Sequence, residues 1–171
     1  MFTLGSLLLL GWLAFGCGAL GQSQAARRAA TAEPVVTLSR GPDYSGQIAP
    51  VYRLEIYADG AVVFTGEKNV KTVGVARGRI SQKQLRELME EFEKASYFSL
   101  RDNYDGRGGC PYYLADGPAA STAVVLDGRR KSVLHDSGCY ADEKTLAPFP
   151  EGLDRLEHLI DATAGSRRWV E

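Results

Sequence analysis

Apolar residues change their spacing along the chain, and the spacing predicts the elements. Residues 4–20, LGSLLLLGWLAFGCGAL, are almost wholly apolar, and residues 22–33 after them are polar, Ala-rich and without periodicity. Folding is therefore expected to begin near Pro34. Val35 to Leu38 is β-branched and apolar and reads as a first strand, and the turn residues of Arg40 to Gly46 make a loop. Pro50 to Gly66, PVYRLEIYADGAVVFTG, reads as two strands with Leu54, Ile56, Val62 and Phe64 on one face and Arg53 and Glu55 on the other. A two-residue Asp59-Gly60 loop would pair Glu55 with Phe64 and mix these faces. A three-residue loop, Ala58-Asp59-Gly60 with Gly60 left-handed, pairs Ile56 with Val62 and Leu54 with Phe64. The clean face selects the second register.

Beyond the hairpin, Val70 to Val75 reads as another strand, with Gly74 a bulge position. Ser81 and Gln84 have capping-box spacing, and Ile80 and Leu85 fit a hydrophobic staple. Leu85, Leu88, Met89 and Phe92 then recur at helical spacing until Lys94 to Ser96, and Tyr97 to Leu100 returns to the core. Asp102 to Gly117 is a long Gly-rich loop. A second hairpin is predicted over Thr122–Leu126 and Lys131–His135 around Asp127-Gly128. The last helix starts near Pro150, buries Leu153, Leu156, Leu159 and Ile160, and stops at Gly165, after which Trp169 packs back. The pattern predicts an α+β domain: an antiparallel sheet built from two β-hairpins plus additional strands, with two α-helices packed on one face.

A chain of 171 residues with 24% charged and 44% hydrophobic residues has room for one ordinary domain plus an extension. Its net charge of -1 lacks the basic footprint of nucleic-acid binding, so that class is set aside. The apolar run divides the chain into a signal peptide or lipoprotein signal at 1–21, a linker at 22–33 and the domain at 34–171. Met1-Phe2-Thr3 carries no Lys or Arg, so an uncleaved anchor is the rival reading. Cys17, after Gly16, is the candidate lipidation site, which would attach the protein to a membrane. The expected location is exported, either periplasmic or lipid-anchored.

Three readings stand for Cys110 and Cys139. An oxidising compartment favours a disulfide closing about 28 residues, which chain entropy values at about 3–4 kcal/mol. The others are two free thiols, or a shared metal or redox site recruiting His135. His135-Asp136-Ser137 holds triad residue types, but strand neighbours point opposite ways, and a strand-end turn is the simpler reading. His158 falls opposite the apolar stripe and reads as solvated. Asp105 to Gly109 lacks the Lys-Ser/Thr of a phosphate loop. Tyr104, Tyr112, Tyr113 and Tyr140 are concentrated in loops. Together with His135 they form either a binding surface or plugs for a thin core.

Pro50-Val51-Tyr52, Ile56-Tyr57, Asp59-Gly60 and Val63-Phe64-Thr65-Gly66 resemble a bacterial family of domains of unknown function, DUF six-four-three-eight. Further matches follow in order at Val70, Gly74, Ile80-Ser81, Phe98, Tyr104, Asp116-Gly117-Pro118, Leu156, Ile160-Asp161 and Trp169-Val170, so the likeness covers residues 34–171. The family commonly carries a cysteine pair before Pro-x-Tyr, and residues 44–49 here, YSGQIA, contain none. The resemblance implies an exported or lipid-anchored bacterial α+β domain and supplies no catalytic residues. The expected function is a non-catalytic binding or structural module of the cell envelope, with no cofactor, whose partner is an unidentified protein or small molecule. The alternative is a hydrolase or thiol-dependent enzyme centred on His135, Asp136 and Cys139.

Overall fold

Strand β1 (Val36–Arg40) is where the two hairpins meet. It pairs on one side with β2 (Val51–Ile56) and on the other with β7 (Ala119–Leu126), both antiparallel. These positions come from a computed structural model, which describes residues 33–41, 48–115 and 117–171. The signal at 1–21, Cys17, the linker up to residue 32, residues 42–46 of the turn-rich loop and Asp116 lie outside the described residues.

The first hairpin joins β2 to β3 (Ala61–Lys68) in the register selected by its apolar face: Leu54 faces Phe64 and Ile56 faces Val62. Tyr57 N donates to Ala61 O at 2.9 Å and Gly60 N to Tyr57 O at 2.9 Å, with Gly60 at φ 82°. A side chain there would also meet Ile80 O at 2.4 Å, so position 60 needs glycine twice over. The second hairpin joins β7 to β8 (Arg129–Asp136) through Asp127 and Gly128, both at positive φ, as a two-residue turn of its kind requires. With β4 (Gly74–Arg79) and β5 (Asn103–Tyr104), the sheet has seven strands in the order β4-β3-β2-β1-β7-β8-β5. Among the described residues, only β5 runs parallel to its neighbour. The fold is mixed α+β with a mostly antiparallel sheet.

Val36, Leu38, Tyr52, Leu54, Ile56, Val62, Phe64, Val124 and Val133 point to one face of this sheet and enter a single buried cluster. Helix α1 (Gln82–Lys94) adds Leu85, Leu88 and Phe92 to it, and helix α2 (Glu151–Ala164) adds Leu153, Leu156 and Ile160. Ser81 accepts from Gln84 N while Gln84 accepts from Ser81 N, so the capping box forms in full. Gly165, at φ 65°, ends α2. Each fully buried aliphatic or aromatic side chain here stabilises the fold by about 1.5–3 kcal/mol.

Three expectations are corrected. Val70 to Val75 is strand only at its end: Lys71 N and Thr72 N donate to Val170 O and Trp169 O at 3.2 and 2.9 Å in a turn, and β4 begins at Gly74. Gly66 opposite this turn has no space for a side chain, because Thr72 O lies 2.0 Å from where a Cβ would sit. The span from Asp102 to Gly117 is not one loop, since it contains β5 and β6 (Tyr112–Tyr113), the latter paired with β9 (Cys139–Tyr140). The helices also exceed two: a 3-10 turn follows α1 at Tyr97–Ser99, and a short α3 (Arg167–Val170) brings Trp169 to 5.1 Å from Phe64, ring to ring.

Candidate functional site

Cys110 and Cys139 are joined by a disulfide, with Cα atoms 5.2 Å apart. The bond leaves no thiolate to ligate a metal beside His135. Tyr113 faces Cys139 across the short β6–β9 ladder, and Tyr112 faces Tyr140. Tyr113 donates its hydroxyl to Asp136 Oδ2 at 2.8 Å. Tyr112, Tyr113 and Tyr140 are half-buried. Tyr104 is not part of a surface: it is buried, stacked edge-on to Phe149 at 5.8 Å, and its hydroxyl accepts from Arg101 N at 3.1 Å. The Gly-rich loop has no vacant anion nest either, because the Asp105 carboxylate occupies it, accepting from Arg107 N at 2.9 Å. Hydrogen bonds from the Arg107 side chain and backbone hold that carboxyl below its usual range.

His135 is buried too, so it belongs to no loop surface. It shares the inner face of β8 with Val133, while Asp136 turns away and caps Gly138 N at 2.8 Å. With Asp136 facing the other way and Cys139 in a disulfide, the His135/Asp136/Cys139 constellation does not assemble. The imidazole meets a residue that the apolar stripe concealed. Its Nδ1 lies 3.2 and 3.3 Å from the two carboxylate oxygens of Glu157, which is 1% exposed. With the Glu157 carboxyl ionised, Nδ1 is the donor of this contact. Nε2 has no partner among the described residues, nor does Thr122 Oγ1 on the facing strand. His158, by contrast, is exposed on the far side of α2, with Nδ1 2.9 Å from Asp154 O.

Glu157 is one corner of a polar network. Arg40, at the end of β1, donates from Nη1 to Glu157 Oε2 at 3.4 Å and from Nη2 and Nε to Asp161 Oδ2 at 2.9 and 3.3 Å. Asp161 Oδ1 accepts from the Tyr52 hydroxyl at 2.6 Å and from the Ser166 hydroxyl at 2.8 Å. Burial alone would weaken the Arg40 charge, but the Asp161 and Glu157 carboxylates outweigh it and raise its pKa. The Tyr52 hydroxyl is pushed well above its usual value, first by burial and then by the Asp161 charge. Burial, with Glu157 second, does the same to Tyr97, whose hydroxyl donates to Thr122 O at 2.5 Å. Glu157 and Asp161 are four residues apart and share the buried side of α2, as Leu153 and Leu156 do.

These side chains floor a cleft of about 620 Å³ between the ends of β1, β2, β7 and β8 and the helix pair α2–α3. Arg40 is 23% exposed and Asp161 19%, while Ser137 stands exposed on the wall. On the rim Arg167 pairs with Glu171, and His158 lies beside Asp154. Arg40, Tyr52, Glu157 and Asp161 were absent from the sequence-derived site. For Glu157 and Asp161 the helical spacing held the signal, since both fall on the stripe side.

A family model described as a domain of unknown function (DUF6438) matches residues 35–163, from the start of β1 almost to the end of α2. No curated protein matches the chain.

Proposed function

The chain belongs to the family of domains of unknown function DUF6438, and from that premise we propose an exported, non-catalytic binding module of the cell envelope that receives its partner at the α2–α3 cleft. The observation that carries this reading is a charged floor already satisfied from within. Arg40, Glu157, Asp161, Tyr52 and Ser166 hold one another in fixed positions, so the cleft offers a preformed shape. His135 also lines this cleft, with its Nε2 buried and without a partner among the described residues. The partially exposed Arg40 guanidinium is the polar contact the floor presents.

Export is supported by the apolar run at residues 4–20 and is compatible with the Cys110–Cys139 bond, which persists in oxidising compartments. Acylation of Cys17 would tether the domain to the envelope. Mass spectrometry of the mature N-terminus tests this part: a chain beginning at Met1 with unmodified Cys17 refutes it. The cleft is tested by a photoreactive benzophenone side chain placed at Ser137 and, as a control, at exposed Glu90 on α1. Adducts in the source envelope that arise from Ser137 and not from Glu90 are expected. Equal labelling from both, or none from Ser137, overturns the cleft as the site.

A further inference from the structure

The free edge of the sheet points to a second interaction surface. Among the described residues strand β4 is outermost, paired only with β3. Ile80 N donates to Gly60 O at 2.9 Å, and β4 continues this ladder in steps of two, so Gly78, Ala76 and Gly74 bond inward to β3. Val75, Arg77 and Arg79 therefore turn their backbone N–H and C=O groups outward. Their side chains share the face away from the helices. All three are exposed, Val75 at 62%, and Val73 just before them at 71%.

An edge of this kind is a template for another extended chain. Its charge selects which one. Lys71, Arg77 and Arg79 accompany the edge, and β4 itself contains no carboxylate. Arg79 is bonded to Asp59 at the hairpin turn, whereas Arg77 has no carboxylate partner among the described residues. The inward positions, Gly74, Ala76 and Gly78, are small, and Gly78 lies beneath the Arg168–Trp169 stack. We propose that β4 takes an extended acidic segment of a partner protein by antiparallel strand addition. Backbone groups of Val75, Arg77 and Arg79 supply the ladder, and Arg77 reads alternate carboxylates. The surface is separate from the cleft, so failure of one leaves the other standing.

The test uses the full chain and a soluble hexapeptide of alternating Glu and Thr, with the Lys and Thr counterpart as control. On adding the acidic peptide, amide exchange at Val75, Arg77 and Arg79 is expected to slow about tenfold or more. Ala76 and Gly78, already paired to β3, should be unchanged. The exposed substitution Arg77→Glu, which touches no core residue, should weaken binding about tenfold, and added salt should weaken it too. Equal binding of the Lys peptide overturns the proposal, as does protection without the alternating pattern. No binding of the acidic peptide would mean that the arginines serve only to keep edges apart. Self-association of the chain through β4, seen by sedimentation without peptide, would assign the edge to a second copy instead.

Discussion

Around Cys110 and Cys139 the chain is held by one covalent bond, by short-range contacts in which Asp105 grips Arg107 and Asp136 caps Gly138, and by Tyr113, which reaches Asp136 across 23 positions. At the cleft floor Arg40 reaches Asp161 across 121 positions and Tyr52 reaches it across 109. Loss of a local contact frees a loop. Loss of a distant one releases helix α2 from two strands at once, and it strands charges that were taken out of water as a set. The two regions are thus expected to fail differently, one locally and one globally.

The largest effect should come from Glu157→Ala, which leaves Arg40 and His135 without their shared carboxylate. We expect a loss of about 3–5 kcal/mol in denaturant unfolding, with exchange protection lost along α2 as well as β8. A loss under about 1 kcal/mol would mean that the network does not hold the helix. Next, replacing Cys110 and Cys139 together by Ala should cost about 3 kcal/mol. Here exchange should rise only at β6, β9 and the Gly-rich loop, and spread into α2 would erase the contrast. Asp161→Asn should cost about 1.5–3 kcal/mol, because a charged acceptor becomes a neutral one. It should also lower the Tyr52 pKa in an alkaline absorbance titration.

The tyrosines give the contrast a pH signature. A hydroxyl whose folded pKa is raised favours the protonated state in the fold. The stability contributed by Tyr52 and Tyr97 is therefore complete below the ordinary tyrosine pKa of about 10 and is lost as pH rises beyond it. Unfolding measured between about pH 9 and 11 should show this decline. The smallest effect is expected from Arg107→Ala in the exposed loop pair, with an unfolding midpoint unchanged within error.

Features set by near neighbours were legible in the sequence. The Ala58-Asp59-Gly60 turn, the Ser81–Gln84 cap and the Gly165 stop each need only a few consecutive residues to declare themselves. The burial of Tyr104 was not legible, because a parallel pairing of two residues with β8 leaves no periodic trace. The onset of β4 was displaced because Val73 and Val75 look like core yet face solvent, while the turn before them is bonded by distant carbonyls. Glu157 was overlooked for another reason. A charge on an apolar stripe reads as an exception until its partners, 117 residues away in Arg40 and 22 away in His135, are in place.

The bonds from Lys71 and Thr72 to the carbonyls of Val170 and Trp169 bear on the order of events during synthesis. A ribosome delivers β2, β3 and the following turn about a hundred residues before it delivers their clasp, and closing so distant a contact is slow. Until Trp169 arrives, Phe64 lacks its stacking neighbour and the turn lacks its acceptors. The first hairpin can form early, but its outer edge is finished last. A chain still being made would therefore remain open to chaperones along β4 until α3 has been delivered.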